Sequence, residues 1–208
     1  MKSIFLSSYF TDVKDLFLNY VKTNIKNRTI TFIPTAANLE EIKFYVDSDM
    51  DVLAKCGFEI ELLDISLYEE EYINKQIDKN DFLFVSGGNT FYLLQEMKNK
   101  NVDKMITKYI NEGKTYIGSS AGSVILSKNI DYIRKMDDIT IAKSLVNTNS
   151  IGAIDFCILP HYECEPFIDI THEIYEKYKN TIDIRPLSNN QVFVYSNDDF
   201  IKLVKKNP

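Results

Sequence analysis

Histidine, cysteine and long apolar runs are all scarce in this 208-residue chain, and each scarcity removes a class of protein from consideration. Three cysteines, Cys56, Cys157 and Cys164, give an odd count without Cys-x-x-Cys spacing. That excludes a disulfide framework and a structural zinc site, and suits a reducing cytoplasm. No apolar stretch approaches membrane-spanning length, and the opening MKSIFLSSYF reads as a first strand rather than a signal peptide, so a soluble protein is expected. The 24 Lys and Arg are scattered under a net charge of −6, leaving no basic stripe for nucleic acid. Internal repeats, low-complexity segments and Pro- or Gly-rich linkers are also missing. With only two histidines, His161 and His172, a reaction that needs an imidazole has two places to find it.

What is present suffices for one compact core: 45% hydrophobic residues, 12% of the chain aromatic, and a length that favours a single domain over residues 1–208. Ser3 to Ser7 reads as a strand, and Val13, Leu16, Phe17, Tyr20 and Val21 follow at helical spacing. The alternation continues with a strand over Ile30 to Pro34, a helix over Leu39 to Lys55 closed by Gly57, and a strand over Phe58 to Leu63. A polar run over 69–80 precedes a strand at Phe82 to Val85 and a helix near Thr90. Val102, Met105, Ile106, Tyr109 and Ile110 share one helical face before the strand Thr115 to Gly118. Such alternation predicts an α/β fold, an open, mainly parallel sheet sandwiched by helices. After residue 180, Gln191 to Tyr195 and Phe200 to Val204 read as a closing β-hairpin, while 129–155 has weak periodicity and is expected to wander over the surface.

The strongest chemical signal is YIGSSAGSVIL, residues 116–126, where an apolar strand runs through Gly118-x-Ser120-x-Gly122 into a helical start. A nucleophile elbow requires this context, with small neighbours where the chain reverses. Ser120 becomes the candidate nucleophile, with the Ala121 N–H aimed where an oxyanion forms. The plainer reading makes Ser120 a helix cap. Upstream, in FLFVSGGNTFYLL, Gly87 and Gly88 end another strand and can offer backbone N–H groups at the same sheet edge, or merely make a turn. Neither Gly-x-Gly-x-x-Gly nor Gly-Lys-Ser/Thr is present, which disfavours phosphate cradling.

FCILPHYE, residues 156–163, delivers His161 at the end of a third apolar strand, where a base belongs. His172 falls on the solvated side of a helix whose apolar face is Phe167, Ile170, Ile174 and Tyr178. Asp137 and Asp138 lie between Ser120 and His161 in sequence and are candidates for the group that orients the imidazole, although an acidic pair is more often a solvated turn. Cys164 could pair with His161 but is more simply a small buried hydrophobe.

In these motifs the chain resembles the aspartyl dipeptidase (dipeptidase E) family of serine peptidases, related to the cyanophycinases, from its first strand to its final hairpin. The resemblance rests on Gly87-Gly88-Asn89-Thr90 followed by an aromatic and paired leucines, on Gly-x-Ser-Ala-Gly at 118–122, and on Pro160-His161. It implies a fold like the class I glutamine amidotransferases, with serine at the elbow in place of cysteine. Carried over by position, it makes Ser120 the nucleophile, His161 the base, Gly88 and Ala121 the oxyanion donors, and Asp138 the third triad member. Asn89 and Glu163 are expected to contact substrate. The implied activity is hydrolysis of small peptides through an acyl-enzyme, without metal or organic cofactor. Preference for an amino-terminal aspartate would call for a nearby cation, yet residues 161–176 carry Glu163, Glu165, Asp169, Glu173 and Glu176 and no Lys or Arg. An acidic rim favours a substrate amine or basic side chain. Two other readings stay open, an α/β-hydrolase esterase and a non-catalytic binding module. The 41 residues from Ser120 to His161 are short for the esterase.

Overall fold

The computed structural model describes residues 2–21, 28–196 and 198–205. Its first half alternates β1 (Ser3–Ser7), α1 (Lys14–Val21), β2 (Arg28–Ile33), α2 (Phe44–Lys55), β3 (Phe58–Leu62), α3 (Glu70–Lys79) and β4 (Phe82–Val85). It continues with α4 (Thr90–Asn99), α5 (Val102–Asn111), β5 (Thr115–Ser119), α6 (Ala121–Val124), β6 (Cys157–Pro160), α7 (Ile168–Tyr178) and β7 (Ile184–Leu187). The hairpin β8 (Gln191–Ser196) and β9 (Asp199–Val204) closes it. Seven strands form one sheet in the order β3-β2-β4-β5-β1-β8-β9; β1 to β5 run parallel, and β8 and β9 are antiparallel additions. β6 and β7 form a separate two-stranded parallel sheet, joined through α7.

The uninterrupted apolar runs of the central strands follow from burial on both faces. In β1, Ile4 and Leu6 enter the core under α3 to α6, while Phe5 enters the other core with Phe10 and Phe17. In β4, Leu83 and Val85 take the first face and Phe82 and Phe84 the second, where Phe84 stacks on Phe32 with centroids 4.7 Å apart. Alternation of period two thus supplies two cores from one strand. Val102, Met105, Ile106, Tyr109 and Ile110 are the buried stripe of α5, as their spacing predicts.

Several boundaries differ from the sequence expectation. The second helix starts at Phe44, not Leu39, because its buried stripe begins at Val46 and continues through Asp49, Val52 and Leu53. Leu39 and Ile42 are exposed, and residues 39–43 form a loop. The polar run over 69–80 is largely helix α3, held by Ile73 and Ile77 one turn apart. Segment 129–155 is mostly irregular, yet it buries Ile130, Tyr132, Ile133 and Ile154. The terminal hairpin is present, with Asn197 of its turn outside the described residues.

Candidate active site

Ser120 stands between β5 and α6 with φ 49° and ψ −110°, a conformation that costs an L-residue about 1–3 kcal/mol. Surrounding bonds hold it there. Its N–H donates to the Ser7 carbonyl at the end of β1 (3.0 Å), and the Ser123 hydroxyl reaches the carbonyls of both Ser7 (2.8 Å) and Gly118 (2.9 Å). A Cβ on Gly122 would lie 2.0 Å from the Val85 carbonyl oxygen, so the chain leaving Ser120 can press against β4 only as glycine. The serine side chain makes no capping hydrogen bond to α6, which removes the helix-cap reading. Its Oγ instead lies 2.9 Å from His161 Nε2.

His161 follows the last residue of β6 and belongs to the smaller sheet, not the main one. Its φ is 58°, its N–H donates to the Ser8 hydroxyl (3.1 Å), and its ring stacks on Phe167 with centroids 4.9 Å apart. Nδ1 donates to the Asn189 side-chain oxygen at 2.9 Å, which leaves Nε2 free to accept from Ser120. Burial pulls the imidazole below its ordinary value of 6.5, opposed by the Asn189 bond. The imidazole is therefore neutral near pH 7, as a base must be.

The expected third member is corrected by this geometry. Asp138 is exposed and accepts from the Thr140 N–H (2.8 Å) and hydroxyl (2.7 Å), capping a short 3-10 turn. A cap of that kind is the commoner fate of a surface aspartate, and Asn189, in the turn between β7 and β8, has the place beside His161. The Asn189 N–H is held by Cys164 Sγ (3.3 Å), so Cys164 supports the turn, and its Sγ makes its bonds to the Tyr162 carbonyl and Asn189 N–H. His172 packs on the Tyr162 ring, with Nε2 3.9 Å from a Glu163 carboxylate oxygen, and it is His161 that bonds Ser120.

Gly88, at φ 131°, would place a Cβ 2.3 Å from the Ala36 carbonyl, a contact that only glycine escapes. Among the described residues the Gly88 and Ala121 N–H groups have no backbone acceptor. Asn89 is corrected: its Oδ1 caps α4 by accepting from the Tyr92 N–H (2.9 Å), and its Nδ2 donates to the Asp138 carbonyl (2.9 Å). Both ends of that side chain are occupied by structure. Glu163 is corrected as well: it is half-buried beside His172 and does not line the cavity at Ser120, although Glu165 and Phe167 further along the same segment do.

That cavity measures about 580 Å³ and is walled by Glu40, Tyr45, Gly87, Gly88, Asp137 and Phe167, among others. Asp137, the alternative to Asp138, does not reach His161; it accepts from the Thr90 N–H (2.8 Å) at the start of α4. Burial raises its carboxyl to about 6, tempered by the Thr90 bonds. Another buried carboxyl, Asp49, which sequence reasoning missed, lies behind the elbow. Thr11 Oγ1 donates to it (3.0 Å), it bonds the Ser119 hydroxyl, and burial raises it to about 7. Its signal was an acidic residue on the apolar stripe of α2; Asn189, in a polar turn, had none. No group of three or more metal-ligating side chains is arranged to hold an ion among the described residues.

An elbow serine bonded to a neutral imidazole at the carboxyl end of a parallel sheet is an arrangement in which a hydroxyl can be activated by an adjacent base. The chain belongs to peptidase family S51, whose family model matches residues 4–203. It is similar to an uncharacterized peptidase of Listeria innocua, 42% identical over 97% of this chain and 96% of that protein. Peptidase E of Nostoc is 27% identical over 77% of this chain and 66% of its own length. A crystal structure of a Listeria monocytogenes protein assigned as peptidase E covers 99% of this chain and 100% of its own, with 42% identity and a TM-score of 0.95. A peptidase structure from an acI-B1 actinobacterium shares the fold at 18% identity and a TM-score of 0.71, covering 99% of this chain and 88% of its own.

Proposed function

We propose that the protein is a serine peptidase acting on small peptides, dipeptides among them. The observation that carries this reading is the 2.9 Å contact between Ser120 Oγ and His161 Nε2, inside a cavity whose size lies within the ~300–1,000 Å³ range of small-ligand clefts. Ser120 attacks the scissile carbonyl while His161 takes its proton, and the tetrahedral oxyanion is received by the N–H groups of Gly88 and Ala121. His161 then protonates the leaving amine, and water hydrolyses the acyl-enzyme by the same route. Asn189 fixes the imidazole tautomer as an uncharged partner, a variant of the triad that pairs histidine with asparagine.

The test is hydrolysis of a dipeptide panel by the purified protein and by Ser120→Ala. Loss of about 10⁴-fold or more in kcat is expected, because the covalent route disappears. Turnover that survives in the variant refutes the assignment.

A further inference from the structure

Three carboxylates, Glu40, Asp137 and Glu165, line the cavity that holds Ser120, and no Lys or Arg lines it. None of the three forms an ion pair among the described residues. Cations close in sequence are directed elsewhere: Lys43 to the Asn38 carbonyl, Arg134 to Asp131, and Lys135 to Glu173. Across the cavity the imidazole of His161 is neutral. A peptide-sized space with negative walls and no compensating charge repels an acidic side chain and attracts a basic one.

The apolar part of the wall sharpens this. Ile42, Phe44, Tyr45 and Met136 also face the cavity, and the Tyr45 hydroxyl is bonded to the Glu40 carboxylate. The Tyr45 ring lies 3.6 Å from where a Cβ on Gly87 would stand, and that Cβ would be 3.3 Å from the Cβ of Ser120, so the ring is close to the nucleophile. A long side chain with a methylene stem and a cationic tip matches such a surface, stem on the rings and tip at a carboxylate. An amino-terminal basic residue brings two cations, its α-ammonium and its side chain. Asp137 and Glu40 are two separate acceptors lining one cavity, Asp137 bonded to the Thr90 N–H and Glu40 to the Tyr45 hydroxyl.

From this geometry we infer that Asp137 and Glu40 determine specificity, selecting peptides with an amino-terminal Lys or Arg over those with an acidic or isosteric neutral residue. The inference rests on the peptidase reading for its cleavage step, but not for its binding step. Asp137, anchored at Thr90 two residues beyond Gly88, receives the α-ammonium, and Glu40, on the loop before α2, receives the side chain.

The experiment measures both steps with Lys-Ala, norleucine-Ala and Asp-Ala. Binding is read by calorimetry on Ser120→Ala, alone and combined with Glu40→Gln or Asp137→Asn; turnover is read on proteins retaining Ser120. Lys-Ala is expected to bind at least 10-fold more tightly than norleucine-Ala, with Asp-Ala weakest. Glu40→Gln should reduce the Lys-to-norleucine ratio toward one, and Asp137→Asn should weaken both by a similar factor. Equal binding of Lys-Ala and norleucine-Ala, tighter binding of Asp-Ala, or no binding of any peptide overturns the inference. If turnover is then still lost in Ser120→Ala, the peptidase reading stands without it. Selective binding of Lys-Ala with no cleavage by the Ser120 protein leaves the specificity assignment intact and overturns the peptidase reading.

Discussion

Asn189 Oδ1 holds the proton-bearing nitrogen of His161 without bringing a charge, and the consequence is an imidazole tuned mainly by burial. Its acid limb in kcat/KM is expected below pH 6.5, since activity is lost only when the imidazole protonates. Asn189→Asp places an anion on Nδ1, favours the imidazolium, and should move that limb upward; an unmoved limb excludes Asn189 as the partner that sets it. Asn189→Ala frees the ring to rotate and is expected to lower kcat roughly 10²-fold, the scale of small misplacements at a reacting group. Asp49 gives a prediction on stability. Its carboxyl titrates at about 7 in the folded protein against an ordinary 3.8, so the folded state keeps a proton that the unfolded chain releases. The sign follows: the stability linked to Asp49 is fully present below pH 3.8, falls as pH rises, and is lost above about 7. Relative to Asp49→Asn, the wild-type protein should lose up to about 4 kcal/mol between pH 4 and 8, read by denaturant titration at each pH. A constant difference between the two proteins across that range would refute this.

Among the elements, the elbow is the one most constrained by its neighbours. Gly122→Ala pushes a methyl into the Val85 carbonyl and must displace either α6 or β4. A loss of about 1–3 kcal/mol or more is expected in the unfolding free energy, with activity falling further than stability because Ser120 moves with α6. The elbow was legible in the sequence because its glycines, its serine and the apolar strand before it are contiguous. His161 was legible for the same reason, at the end of an apolar run. Asp138 misled because sequence order does not say which carbonyl or N–H group a side chain will meet, and its nearest partner is its own chain at Thr140. The loop over 39–43 was hidden by Leu39 and Ile42, apolar residues that continue a helical pattern yet stay exposed, Ile42 at the cavity wall. β7 was missed because a four-residue strand containing Pro186 carries little periodicity, and Asn189 was lost with it.

The architecture of the whole molecule was predictable to a greater degree than its site, because two-sided burial writes itself into every central strand. Phe5 serves one core and its neighbours Ile4 and Leu6 the other, so neither core can form without β1. A single cooperative unfolding transition is therefore expected, with coincident loss of helix signal and tertiary aromatic signal; two resolved transitions would show that the faces fold apart. The third strand to reach the site does not belong to that shared sheet. Ser120 is carried by the seven-stranded sheet, and His161 and Asn189 flank strands of the two-stranded one. The proton shared by Ser120 and His161 thus crosses a seam between two separately built parts. Reactivity becomes a gauge of how those parts are seated, readable from afar: a substitution in the packing between α6 and β6, touching neither Ser120 nor His161, is expected to register first as a change in the reactivity of the Ser120 hydroxyl.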